Sequence, residues 1–80
     1  MYNMKKIIIL SFDIPRSKAG FRVKVWRELQ SIGAKLQTRS FWSLSFSEMN
    51  LIEFKRICKE IIDNGGKAEV IIGNVICITK

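Results

Sequence analysis

The chain has 80 residues, 48% of them hydrophobic, with one Pro, five Gly and a formal charge of +7. A chain of this size makes one small domain that buries only somewhat more than ~60% of its unfolded surface, and the composition excludes a disordered tail, a collagen-like repeat and a linker. The longest aliphatic run, Ile7–Leu10, is four residues long, far short of the ~20 of a membrane helix, and it ends in Ser11-Phe12-Asp13, so it is no signal-peptide core; a cytoplasmic address without membrane contact is the expectation.

Lys6–Asp13 is predicted to be a strand, because Ile7, Ile8, Ile9 and Leu10 have no helical period and are rich in β-branched residues. A run apolar on both faces suits a central strand. Ile14-Pro15 ends it, since Pro lacks an N–H and biases its predecessor to extended geometry. Ser17 is a candidate N-cap for a first helix over roughly Lys18–Ser31. In it Phe21, Val25, Leu29 and Ile32 recur at helical spacing, and Gly33 is the expected stop. Val23 and Trp26 lie off that stripe, so this helix carries more apolar surface than one packing face uses. Ala34–Phe46 has no helical signal and is too long for one strand. It divides into Lys35–Thr38 and Phe41–Phe46, with Arg39-Ser40 between them. Ser47 caps a second helix over Glu48–Asp63, with Leu51, Phe54, Cys58 and Ile61 in its stripe and Glu48 favourably placed near its positive end. After Asn64-Gly65-Gly66 come two strands, Ala68–Ile72 and Val75–Thr79, joined by a Gly73-Asn74 hairpin turn.

The order strand, helix, strand, strand, helix, strand is the split βαβ pattern of an α+β, ferredoxin-like βαββαβ sandwich. Here it carries an additional C-terminal strand. Right-handed crossovers place both helices on one face of the sheet. Residues 1–80 form the single domain. Alternation along the first strand puts Ile8, Leu10 and Phe12 under the helices and Ile7, Ile9, Ser11 and Asp13 on the other face. Apolar surface left bare there is the mark of an interface, and a two-fold homodimer is the commonest way to cover it.

The absence of His excludes a Ser-His-Asp or Cys-His pair. Cys58 and Cys77 have no zinc spacing and no reactive-site signature, and the scattered glycines make no phosphate loop. An enzyme built from this chain must use carboxylates, hydroxyls, Lys or Arg and a bound metal. Residues 1–40 hold nine basic and two acidic side chains, whereas residues 41–80 hold five of each. The whole positive excess therefore lies in the first half, as for a protein with a polyanion partner. Arg16, Lys18, Arg22, Lys24, Arg27, Lys35 and Arg39 are the candidate nucleic-acid contacts, although each taken alone fits a solvated face better than a contact. Phe41 and Trp42 are candidates for base stacking or for supporting a site.

The run Ile7-Ile8-Ile9-Leu10-Ser11-Phe12-Asp13-Ile14-Pro15, the basic helix, Gly33, and Leu36-Gln37 leading to Ser40-Phe41-Trp42-Ser43-Leu44 resembles the small universal CRISPR-associated adaptation protein. That protein is the ferredoxin-like dimeric partner of the CRISPR integrase. The run is also similar to the related domain of the phenylacetate-pathway repressor family. The resemblance covers residues 4–46. It departs at Thr38-Arg39, where the family usually has an aromatic followed by Ser, and in a short C-terminal segment. It implies a nucleic-acid-binding homodimer with a role in spacer acquisition. It further implies Mg-dependent endonuclease activity on RNA or DNA, or a non-catalytic scaffold that holds the integrase on DNA; a repressor-like dimerisation module is the related alternative. The family's acidic residue at the end of the first strand, a metal ligand and catalytic group, falls on Asp13. One Mg²⁺ shared between two subunits would then take one carboxylate from each, a count that suits Mg²⁺.

Overall fold

The computed structural model describes residues 5–38 and 41–76. The elements in chain order are β1 (Lys5–Asp13), a 3₁₀ turn (Arg16–Lys18), α1 (Ala19–Ser31), β2 (Lys35–Thr38), β3 (Phe41–Ser45), α2 (Glu48–Asp63) and β4 (Lys67–Val75). The sheet order is β2-β3-β1-β4, and all three pairings are antiparallel. This is the expected α+β, ferredoxin-like arrangement. The apolar β1 lies at the centre, flanked by β3 and β4.

The C-terminal hairpin expected at Gly73-Asn74 is not formed. β4 runs straight through both residues, with Gly73 opposite Ile7 and Asn74 opposite Lys6. A hairpin with Gly in its first turn position needs φ > 0 there, and Gly73 is not among the positive-φ glycines. Nine residues of β1 offer nine partners to β4, and that ladder outweighs the local turn preference. Val75 therefore closes β4 instead of opening a further strand, and the remainder of Val75–Thr79 beyond Ile76 lies outside the described residues, as do Arg39 and Ser40. Ser17 does not cap α1 either. It sits within the 3₁₀ turn, and the cap position is Lys18, without a side-chain hydrogen bond. Pro15 moves the helix entry one residue on, because its carbonyl accepts from the Lys18 N–H at 2.9 Å.

α2 begins and ends at the expected residues. The Ser47 Oγ accepts from the Asn50 N–H at 3.0 Å, satisfying one of the free donors of the first turn. Both helices press on one sheet face, where Ile8, Leu10, Val25, Leu29, Trp42, Phe54, Ile57 and Ile61 form the core with Ile14. Phe21 and Ile32 complete the α1 stripe as partly buried residues. Phe54 is fully buried. Truncating a buried Phe to Ala costs about 3–5 kcal/mol, against ~5–15 kcal/mol for a whole domain. Phe54→Ala is therefore expected to lower the thermal midpoint by more than ~10 °C, while Ile52→Ala, at a position 61% exposed, shifts stability within about ±0.5 kcal/mol. Equal midpoints for the two variants in thermal denaturation would contradict this core.

Candidate nucleic-acid and metal site

Residues directly opposite in an antiparallel ladder share a face, so the register defines the uncovered side of the sheet. β1 presents Ile7, Ile9, Ser11 and Asp13 there, β3 presents Phe41, Ser43 and Ser45, and β4 presents Lys67, Glu69, Ile71, Gly73 and Val75. Lys35 joins them opposite Ser43. Ile7 and Ile9 are half-buried and Ile71 is exposed. The division of β1 into a core face and a free face follows the expected alternation. A depression of about 610 Å³ on the free face is lined by Lys5, Ile7, Lys35, Gln37, Phe41 and Ser43, among others. Within its lining the Gln37 Nε2 donates to the Ser43 Oγ at 2.7 Å, which satisfies the one buried polar residue of the chain's described part.

Asp13 is the last residue of β1 and is exposed. Its position is fixed by the backbone. A Cβ at Gly66 would lie 2.7 Å from the Asp13 carbonyl oxygen and 2.7 Å from the Ile61 Cγ2, so only Gly permits the close approach of the α2 exit to the end of β1. The Gly66 N–H meanwhile donates to the Ile61 carbonyl at 2.9 Å. Lys67 stands directly across from Asp13, and Glu69 lies opposite Ser11. Ser11, Asp13, Lys67 and Glu69 line a second depression of about 430 Å³. Sequence reasoning missed Glu69, which lies 56 positions from Asp13 in the chain yet diagonally across from it in the sheet. Only the register of β4 against β1 brings the two carboxylates to one place.

The basic candidates fall into separate groups. Arg16 and Lys18 occupy the exposed 3₁₀ turn immediately after β1. Arg22 continues from Lys18 at i+4 along one flank of α1. Lys24 projects from the other flank toward α2, where its Nζ donates to the Glu60 Oε1 at 2.8 Å. That hydrogen bond holds the Lys24 ammonium above the usual lysine range. Arg27 is exposed on the solvent side of the helix, and Lys35 lies on the opposite, helix-free side of the sheet. Arg39 is outside the described residues. The helix seam carries its own charge pairing. Arg56 donates to Glu53 at 3.2 Å and to Glu28 at 3.1 Å, and it lies 3.5 Å from Glu60. The Glu53 hydrogen bond, foremost among these contacts, raises the Arg56 guanidinium further above its ordinary value.

Trp42 is 2% exposed and belongs to the core, so its ring offers no face to a base. It receives the Trp26 ring edge-to-face at a centroid separation of 5.0 Å. Phe41 is half-buried on the free face, where it supports the larger depression. Cys58 packs partly buried against the core. Burial, then the nearby Glu69 charge, pushes its thiol upward, away from thiolate chemistry. Among the described residues no three His, Cys, Asp or Glu side chains group as a metal cage, and no helix is long and apolar enough to cross a membrane.

No protein-family model matches the chain, and no curated protein matches it. Among solved structures it is similar to a hypothetical protein, TT1823, from Thermus thermophilus, with 25% identity and a TM-score of 0.60 over 95% of this chain and 88% of that one. The likeness supports the fold along nearly the whole chain.

Proposed function

We propose that the chain is a nucleic-acid-binding homodimer of the CRISPR-adaptation type, which cuts RNA or DNA in a Mg²⁺-dependent reaction through a pair of Asp13 carboxylates. The supporting observation is Asp13 itself: an exposed carboxylate at the end of the central strand, on the face that no helix covers, three residues before the basic turn Arg16–Lys18. Asp13, Ser11 and Glu69 are oxygen donors on one face, the donor type that hard cations select. One protomer offers the Asp13 carboxylate and a diagonal Glu69; a second copy adds its own. A divalent ion, when bound, supplies charge neutralisation and a more acidic water. The chain's own part is to hold Asp13 by the Gly66 close approach, and to engage phosphates of the bound nucleic acid through Arg16, Lys18 and Arg22. An integrase is the further partner that this reading implies.

The homodimer covers Ile7, Ile9, Phe41 and Ile71, and a stable pairing of this kind buries on the order of 1,200–2,000 Å². The second reading is a non-catalytic scaffold. Lys67 favours it, because it stands directly opposite Asp13 and offers the carboxylate a cation from the chain itself. The two readings share nucleic-acid binding and differ in cleavage. With Arg16, Lys18 and Arg22 from both protomers on duplex DNA, log K is expected to fall against log salt with a slope of about −5. The check is fluorescence anisotropy with a labelled duplex across a salt series. A flat salt response, or no binding at low salt, would remove the phosphate-track assignment under either reading.

A further inference from the structure

α1 is not apolar on its core stripe alone. Val23 is 50% and Trp26 45% exposed, and Leu36 on the neighbouring β2 is 40% exposed. Leu36 pairs with Trp42 across the ladder, so it lies on the helix side of the sheet, as Trp26 does. Trp26 is held in place from below, its ring meeting the buried Trp42 at an interplanar angle of 85°. A half-exposed Trp anchored on a second Trp loses little freedom when it is covered.

The surroundings of Trp26 carry one sign of charge. At 3.6 residues per turn, Arg22, Trp26 and Gln30 follow one another at i, i+4 and i+8 along the flank of α1 that faces away from α2, and Lys18 stands at the cap position just ahead of them. The three helical members stand about 6 Å apart along the axis. Between Ile14 and Thr38 the only carboxylate is Glu28, and it points to the opposite flank, where Arg56 binds it. Lys24 is likewise turned away, onto Glu60. The Trp26 flank is therefore a column of cation, cation, aromatic and amide with no anion in it.

We infer that Trp26 is a stacking platform for an unpaired base of a single-stranded nucleic acid, with Lys18 and Arg22 on the phosphates leading to it and Gln30 beside the base. A π-face stacks on any base, and the flanking cations supply the sequence-independent attraction of the backbone. The inference rests on the nucleic-acid reading above but not on cleavage or on Asp13. It places a single-strand contact on the helix layer, on the opposite side of the sheet from the proposed dimer face. An acidic protein segment would share the attraction to Arg22 and Lys18, but it would have no aromatic plane to lay on Trp26.

The chain contains two tryptophans, and Trp42 is buried, so quenching of the intrinsic emission reports on Trp26. The test titrates the full chain with oligo(dT), with a blunt hairpin duplex and with poly(L-glutamate). Oligo(dT) is expected to quench the emission at saturation. By anisotropy, Trp26→Ala is expected to bind labelled oligo(dT) roughly 5- to 150-fold more weakly, while Trp26→Phe, which keeps a ring on Trp42, retains most of the affinity. Circular dichroism establishes that both variants are folded, and if Trp26→Ala is not, the quench and the Trp26→Phe affinity decide. Salt-dependent binding of oligo(dT) without quenching, or with undiminished affinity in folded Trp26→Ala, overturns the stacking site and leaves the broader nucleic-acid reading standing. Equal quenching by poly(L-glutamate) also overturns it, in favour of an acidic polypeptide. Binding of neither oligonucleotide overturns both.

Discussion

Asp13→Asn is expected to abolish the proposed Mg²⁺-dependent cleavage while leaving the chain folded and able to bind nucleic acid. The substitution keeps the size of the side chain and the backbone carbonyl that meets Gly66, and it removes only the negative charge. Asp13 is exposed, so the stability change is within about ±0.5 kcal/mol. The effect on chemistry is of another order. Charge stabilisation by a bound metal is worth several kcal/mol, and each 1.36 kcal/mol is tenfold in rate, so a loss of ~100-fold or more is expected. The check is a cleavage assay on labelled RNA and DNA, with Mg²⁺ and with a chelator, beside circular dichroism of both proteins. Cleavage by the variant at the wild-type rate would remove Asp13 from the catalytic role.

Ile9→Lys is expected to convert the proposed dimer to a monomer. Ile9 sits at the middle of β1, opposite Ser43 on one side and Ile71 on the other, on the face that the proposed pairing covers. Burying an Ile side chain contributes about 1.5–3 kcal/mol, and two-fold symmetry counts each substitution twice. The dimer is then weakened by on the order of a thousandfold, before the cost of burying two like charges is added. The fold itself is spared, because Ile8 and Leu10, not Ile9, carry the core. Sedimentation velocity over a concentration series reads the result. A variant that remains dimeric would move the interface away from this face.

Most of the fold is legible in the sequence, and the reason is local. Four consecutive aliphatic residues at Ile7–Leu10 have one central place in a small sheet, and the stripes Phe21-Val25-Leu29 and Leu51-Phe54-Ile61 have one period. Ser47 marks the start of α2 by a hydrogen bond that spans three residues. The Gly73-Asn74 turn misleads for the opposite reason. Its preference is local, and it is overridden by a ladder to β1 whose partners lie 54 to 70 residues away. The same non-local register hides Glu69 from a sequence reading while Asp13 stands out at a strand end.

The candidate contacts divide along the same line. A one-sided charge excess is visible in composition, but the direction of each side chain is set by helix phase and by its partner. Lys24 and Arg22 are two residues apart, and the helix turns one to Glu60 and the other to the free flank. The extra apolar surface of the first helix is apparent from Val23 and Trp26 lying off the stripe. That Trp26 rests on Trp42 depends on β3 passing beneath α1, which no spacing along the chain reveals.

In the proposed dimer two copies join through the bare sheet face and bring their Asp13 side chains together. A crystal structure grown with Mg²⁺ tests it most directly. Two protomers are expected, packed with Ile7, Ile9 and Ile71 between them and both Asp13 carboxylates directed at one ion. A solitary protomer, or a pair whose Asp13 carboxylates diverge into bulk solvent, would contradict it.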